Sequence, residues 1–331
     1  MARLGPRWEH WIAENLVLGV PEPTLARTLA GEGFTAAEIE RALAAARGNH
    51  HVLLARRWQR RHAKLAWTMR AIQRTAALAP PAVERLARPL PEEFLVRCYA
   101  PGRPAVLTGI IDDWPALRAW TPAYLKERLG HHDVEIQGDR ARDPLYERNS
   151  IAHKQVVRFS DLVDRVVAGP SNDVYMTANN AGRNAAFLRD AFADVTMPPY
   201  FTASWEGRGF FWFGPEGTVT PLHHDLTNNA MAQVMGRKRV RLISPLDTPR
   251  LYNHRHCFSE VDLEAPDLAR FPLFAGVQVL DVELAPGEVL FLPVGWWHHV
   301  RALDASITIS LTNFTADNTY SDGYADLYGD L

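Results

Sequence analysis

At 331 residues, 47% hydrophobic and 22% charged, the chain is long enough for one large domain plus a small appendage, and its composition excludes a disordered or fibrous protein. A formal net charge of −2 excludes a global electrostatic affinity for nucleic acid, so any basic surface has to be local. Cys98 and Cys257 stand far apart and outside any metal or redox motif, which argues against a disulfide framework and for a reducing compartment. The opening residues lack the apolar core of a signal peptide and no run is long enough to cross a bilayer, so the expected location is cytoplasmic, with no membrane partner.

Residues 1–80 are expected to form an N-terminal helical region. Trp11, Ile12, Leu16 and Leu18, then Leu25, Leu29, Ile39 and Leu43, recur at helical spacing, and Thr35 with Glu38 predicts a capping box opening a helix over 36–46. Residues 51–78 are helical in period and basic. Arg56, Arg57, Arg60, Arg61, Lys64 and Arg70 fall largely on one side, with Leu54, Trp58, Leu65 and Met69 available to pack. A solvated face of a docking helix is the first reading of that stretch, and a local contact with protein or nucleic acid the second. Pro80-Pro81 and Pro89-Leu90-Pro91 bracket the expected domain boundary, leaving a second domain over 90–314 and an acidic tail over 315–331.

Beyond Pro91 the texture changes to short helices and strands. Pro101 to Pro104 form a turn into an apolar strand, Thr121 caps a helix that has Pro122 at its first position, 133–137 is a strand and 159–167 a helix. Asp173 to Ala178 reads as a strand with Tyr175 and Thr177 on one face. From Phe210 to Phe314 strand-like runs with antiparallel spacing dominate, which predicts a β-dominated α+β chain built on a barrel or sandwich.

Inside that region Gly217-Thr-Val-Thr-Pro-Leu-His-His-Asp225 offers an imidazole and a carboxylate two residues apart. Side chains at i and i+2 leave the same face of a strand, so His223 and Asp225 can converge while His224 points away. Alone this is a weak signal. His298 adds a third donor, after the apolar run Gly287-Glu-Val-Leu-Phe-Leu-Pro293. Two imidazoles and one carboxylate leave coordination positions open, as in non-haem Fe(II) oxygenases, although ligand type also admits a zinc-dependent cupin isomerase or hydrolase. His254 and His256 share the spacing but lie in a polar stretch and are assigned to a surface loop; His299 is assigned to packing or hydrogen bonding.

Counting alternate residues from Asp225 puts Asn229, Met231 and Gln233 on the interior. After a turn at Gly236, Lys238, Val240 and Leu242 share one face while Arg237, Arg239 and Arg241 share the other. An inward ammonium requires an anion, either a protein carboxylate or an acid ligand. Ile307, Ile309 and Leu311 are expected inside, with Asn313 ending that face at the barrel mouth. Thr220 has the wrong parity to join His223 unless Pro221 ends or bulges the strand. Trp212, Trp296 and Trp297 are read as core and pocket wall together.

Four segments, Gly217–Asp225, Asn228–Arg239, Pro286–His299 and Ile307–Phe314, taken in order and with their gaps, resemble the JmjC (cupin-8) group of Fe(II)/2-oxoglutarate oxygenases over about two-thirds of the chain. The likeness is greatest to the small JmjC protein hydroxylases; Leu263 to Pro272 follows the arginyl type and Asn313 the asparaginyl type. The resemblance implies a double-stranded β-helix (cupin jelly roll), Fe(II) held by His223, Asp225 and His298, and 2-oxoglutarate held by Lys238 with Thr220 and Tyr175. Asn229 and Asn313 would lie near the other end of the cosubstrate and Trp212 along the pocket. The implied reaction consumes O2, hydroxylates a protein or peptide side chain (Arg, Asn or similar) and releases succinate and CO2. Alternatives are a small-molecule or peptide-natural-product hydroxylase, a JmjC lysine or arginine demethylase, and a non-catalytic binding module. The dimerisation helices of some relatives have no counterpart after Phe314, and the oligomeric state is left open, a homodimer included.

Overall fold

The helical periods of the first 78 residues resolve into α1 (Pro6–Val17), α2 (Glu22–Gly31), α3 (Ala36–Gly48) and α4 (His50–Ala76) of a computed structural model that describes residues 4–78, 82–178, 184–321 and 324. The chain divides into two compact units between Leu78 and Ala79. In the first unit, Ile12, Leu16, Leu25, Leu29, Ile39, Leu43 and Val52 form one apolar core. The predicted capping box is present, with the Glu38 carboxylate accepting from the Thr35 amide at 2.9 Å and the Thr35 hydroxyl accepting from the Glu38 amide. The packing expected of the basic helix is not. Leu54, Trp58 and Leu65 are 50%, 59% and 60% exposed, because α1–α3 close their own core and α4 adds only Val52 to it.

The second unit contains α5 (Pro91–Phe94), which runs on as a π turn to Tyr99, then α6 (Ala116–Ala119), α7 (Pro122–Leu129), α8 (Phe159–Val167) and α9 (Asn184–Ala191). Thr121 caps α7 as predicted, its hydroxyl accepting from the Tyr124 amide. Its strands are β1 (Glu84–Ala87), β2 (Ala105–Thr108), β3 (Asp133–Gln137), β4 (Lys154–Arg158), β5 (Gly209–Gly214), β6 (Val219–His224), β7 (Asn229–Met235), β8 (Lys238–Ile243), β9 (Leu280–Leu284), β10 (Glu288–Leu292), β11 (Trp297–Ala302) and β12 (Ser306–Leu311). One sheet runs β1-β2-β10-β7-β12-β5, a second β6-β11-β8-β9, and β3 pairs with β4. All pairings are antiparallel except β1 with β2. This is the expected β-dominated α+β architecture, a double-stranded β-helix. Strand pairing begins at Glu84, inside the segment that the proline clusters bracketed. Among the described residues no helix is long and apolar enough to cross a membrane.

Burial assigns the two faces of each strand. Between the sheets lie Val106, Met231, Val240, Leu242, Val282, Leu284, Leu290, Leu292 and Val300. The other face of the six-stranded sheet carries Phe211, Phe213, Ala230, Ala232, Phe291, Ile307, Ile309 and Leu311, packed with Trp114, Trp120, Phe159 and Phe187 of the helical layer. Every residue of β12 is therefore buried, on one side or the other. This corrects the parity expected for that strand. Ile307, Ile309 and Leu311 face the helices, not the interior; Ser306, Thr308 and Ser310 alternate with them on the opposite face. The apolar alternation identified a buried face, but a strand covered on both sides has two. A second correction concerns 173–178, which forms no strand: Tyr175 bridges to Gln137 of β3 and Met176 to Phe213 of β5, so neighbouring residues pair with different sheets.

Phe211 sits at the centre of the helix-facing core, 1% exposed and within 5.1–6.4 Å ring-centre distance of Trp120, Phe159, Phe187 and Phe213. Phe211→Ala removes that hub, and is expected to lower the stability of the second unit by about 3–5 kcal/mol, read as a shift of its denaturation midpoint at unchanged slope.

Candidate metal centre

The pairing of β11 with β6 places the first two donors. His298 lies opposite His223, and Val300 lies opposite Thr220, so between these pairs the single residue His299 on β11 faces two on β6. That extra residue is a β-bulge at Pro221-Leu222. It turns the Thr220 hydroxyl to the same side as His223, resolving the parity conflict that proline left open. Leu222, on the opposite side, packs under the loops with Trp297. The third donor, Asp225, follows the end of β6.

The His223 and His298 ring centres are 4.1 Å apart; His223 Nε2 is 3.9 Å from Asp225 Oδ1, and His298 Nε2 is 3.9 Å from Asp225 Oδ2. All three donors lie within 4.8 Å of one another. Bonds of roughly 2 Å let a single ion bridge donors up to about 4 Å apart. The hydrogen bonds prepare the donors. His223 Nδ1 donates to the Pro221 carbonyl at 2.8 Å and His298 Nδ1 to the Trp296 carbonyl at 3.1 Å, which fixes the tautomer and leaves both Nε2 lone pairs directed at the shared point. Burial, then the neighbouring His298, push the His223 imidazole down to about 4, so near neutral pH it is the uncharged form that ligates. Burial of Asp225 opposes its ionisation, but the two histidines and the Asn229 amide, which donates to Oδ2 at 2.9 Å, hold its carboxyl below the usual range. Two imidazoles and an ionised carboxylate, oriented in this way, fit Fe(II).

A cavity opens beside the triad, lined by Thr220, Asn229, Trp212, Tyr175, Lys238 and Ser310, with Met231 and Val300 as its apolar wall. Lys238 is 2% exposed. Its ammonium reaches the Tyr175 hydroxyl at 3.1 Å and makes no ion pair among the described residues; burial pushes it down to about 7. Tyr175 is itself seated by the absence of a side chain at Gly214, where a Cβ would stand 2.6 Å from the tyrosine ring. Behind it lies Arg140, fully buried. Its guanidinium is 4.2 Å from the Tyr146 ring centre and 5.2 Å from that of Tyr175, and bonds Glu147 and the Val219 carbonyl. Trp212 Nε1 and Asn229 Oδ1 are buried without a partner among the described residues.

Of the residues singled out in the sequence, His223, Asp225, His298, Lys238, Thr220, Tyr175, Asn229 and Trp212 all line this one cavity. Asn313 does not. It continues the helix-facing alternation of Ile309 and Leu311, and its amide donates to the Thr202 and Ser204 carbonyls at 2.7 and 3.1 Å, tying down a loop outside the barrel. Sequence reasoning missed Ser310 on the cavity wall and Arg140 behind it. The run Ser306, Thr308, Ser310 was the available signal for the first; Arg140, in a polar loop, carried none. His299 faces outward, buried, with Nε2 3.5 Å from Glu264 Oε1. His254 is exposed and His256 half-buried on a loop. A second grouping of donors, His131, His132 and Asp190, lies at the surface, with His132 and Asp190 in a 3.0 Å contact.

The sequence pattern of the cupin-like domain family matches residues 91–319. The chain is 32% identical over 239 residues to lysine-specific demethylase 8 of Xenopus tropicalis, an alignment covering 69% of this chain and 52% of that protein. It is 34% identical over 241 residues to the Danio rerio protein of the same name, covering 69% and 57%. With Jumonji C domain-containing protein 5 of Drosophila melanogaster the figures are 32% over 249 residues, 69% and 59%. The chain thus spans a little over half the length of these curated relatives.

Asn229→Ala removes the donor that orients Asp225 while leaving all three ligand side chains in the sequence. Affinity for Fe(II), or for Mn(II) as an air-stable stand-in, is expected to fall about 10- to 100-fold by anaerobic calorimetry, while the folded fraction is unchanged.

Proposed function

Since this chain belongs to the JmjC group of the cupin-like family, whose members are oxygenases using Fe(II) and 2-oxoglutarate, we propose that it hydroxylates an aliphatic C–H bond of a protein or peptide side chain, releasing succinate and CO2. The observation that carries this conclusion is the pairing, in one cavity, of a His-Asp-His triad with a buried lysine that has no counter-anion among the described residues. A dicarboxylate with one end on the triad and the other on Lys238 answers both needs, the open coordination and the missing negative charge.

When bound, the ferrous ion and 2-oxoglutarate supply the oxidising chemistry, in which decarboxylation of the keto acid is coupled to transfer of one oxygen atom to the substrate. The chain's own residues bind and orient. Lys238 takes the distal carboxylate in a charge-assisted bond, with the Tyr175 and Thr220 hydroxyls as further donors. Burial pushes the Tyr175 phenol far up, so it stays a proton donor throughout the neutral range. Trp212, Met231 and Val300 keep water from the cosubstrate, and Asn229 holds Asp225 in place. Two residues lining the cavity, Asn229 and Trp212, still have an acceptor and a donor to offer.

The relatives' names support a second reading. The Xenopus and Danio proteins are called lysine-specific demethylases. Hydroxylation of an N-methyl carbon gives a carbinolamine that releases formaldehyde, so the same cavity would serve demethylation. Incubating a methylated and an unmethylated peptide library with the enzyme separates the two: hydroxylation leaves a product heavier by one oxygen, whereas demethylation leaves one lighter by a methylene and yields formaldehyde.

Purified protein with Fe(II) is expected to convert 2-oxoglutarate to succinate, and the double variant H223A/D225A to lose that turnover; succinate formation unchanged in the variant would refute the assignment. Lys238→Met is expected to weaken 2-oxoglutarate binding about 30- to 1,000-fold while leaving metal affinity within about threefold. Because the free lysine titrates at about 7 and a bound carboxylate raises it, the ammonium is already formed below that pH and affinity is full there. Above it each binding event must take up a proton, so calorimetric affinity for 2-oxoglutarate is expected to fall with rising pH, by up to about tenfold per unit.

A further inference from the structure

The helix α4 carries seven cations between Arg56 and Arg74 and no acidic residue anywhere in its 27 residues. At roughly 100° per residue, Leu54, Trp58, Leu65, Met69 and Ile72 share an arc about 60° wide, and the cations spread over the opposite half of the circumference, interspersed with the exposed Leu53 and Trp67, with Arg57, Arg61 and Lys64 at one edge of the apolar stripe. The stripe is uncovered: Leu54, Trp58, Leu65 and Ile72 are each half or more exposed. None of the seven cations is in an ion pair among the described residues, and Arg61 stands 5.3 Å over the Trp58 ring. A helix with these two faces needs an occupant that is anionic and also takes up apolar side chains.

A second copy of α4 would cover the stripe, but it would set Arg57, Arg61 and Lys64 at the stripe's edge against their own counterparts and supply no counter-charge for the other four cations. Nucleic acid would neutralise the cations and leave Leu54, Leu65 and Ile72 in water. A protein groove would take up the stripe but would need carboxylates fixed along its whole rim, whereas an anionic bilayer presents a continuous layer of negative charge whose field reaches round the helix. An anionic bilayer satisfies both faces. The stripe enters the boundary between headgroups and acyl chains, and cations at its edge reach the lipid phosphates along their own aliphatic stems. The helix is about 10 Å across, so even its far side lies close to a Debye length, about 8 Å at physiological salt, from the surface charge.

Against the expectation from the sequence of no membrane partner, we propose that α4 docks the protein on the surface of an anionic phospholipid membrane, lying in the headgroup layer without crossing it. The site is separate from the cavity of the second unit, and stands or falls independently of the oxygenase assignment. Full-length protein is sedimented with vesicles of phosphatidylcholine alone and with vesicles containing roughly one-third phosphatidylserine. Retention on the anionic vesicles only is expected, with partition falling at least about tenfold at 1 M salt, where the Debye length is about 3 Å. R60E/K64E/R70E is expected to lower partition at least about tenfold, and the neutral R60Q/K64Q/R70Q to fall between it and wild type. L54S/L65S/I72S is expected to weaken binding comparably, with circular dichroism matched to wild type in every variant. No retention on anionic vesicles overturns the proposal. So does wild-type retention of the serine variant, which would make the contact purely electrostatic. Tight binding to a single-stranded RNA oligonucleotide with no vesicle retention also overturns it and reassigns the face to nucleic acid.

Discussion

Lys238 sets the terms on which the barrel exists. Its ammonium lies between the two sheets, 3.1 Å from a tyrosine hydroxyl and without a carboxylate to meet it among the described residues, and burial alone brings it down to about 7. A displacement of that size from the ordinary lysine range corresponds to on the order of 5 kcal/mol against the charged form. A chain under selection for stability alone would place a leucine or methionine there. The charge is retained at a cost, and it sits on the same cavity as three metal donors. On the proposed reading a dianionic chelating ligand would offset that cost, which would tie the stability of the fold to the ligand it binds.

The rest of the second unit can be understood as the means of keeping that cavity polar inside a protein whose surroundings are apolar. The six-stranded sheet achieves this by being buried twice. Its helix-facing side carries the phenylalanines and isoleucines that supply most of the packing, which releases the space between the two sheets to be divided between an apolar half, with Leu290, Leu292 and Val240, and a polar half, with Thr220, Asn229, Lys238 and Ser310. The bulge at Pro221-Leu222 serves the same end. It lets β6 present both Thr220 and His223 inward, at the expense of one unpaired residue in the ladder. Arg140 behind Tyr175 adds a second buried cation to that polar half, partly compensated by Glu147.

The first unit follows a different logic. Its core is small and closes on itself, with α4 contributing little beyond Val52, so the length, charge and apolar stripe of that helix are not explained by the stability of the unit that carries it. Features that a fold does not need for its own cohesion are the natural place to look for contacts with something else.

Much of this was legible in one dimension. Spacing identified the capping box at Thr35, the helix from Phe159 to Val167, the shared face of Lys238, Val240 and Leu242, and the pair His223 and Asp225, while His298 came from its place after an apolar run. These depend on local periodicity, or on residue types too costly to bury without a role. What periodicity could not supply was the partner of each face. In β12 the alternation was read correctly as a buried stripe and assigned to the wrong side, which carried Asn313 with it; in 173–178 the composition was strand-like, yet neighbouring residues pair with different sheets. Thr220 joined the site only through a bulge that a strand acquires from the register of its neighbour. For the strands of the barrel, sequence by itself determined which side chains are buried and which chemistry they carry, since both follow from residue type and from period; for the stripe of α4 and for Arg140 it did not. Only the tertiary structure decided which of two buried faces looks onto the cavity, because that depends on what the other strands and helices place against it.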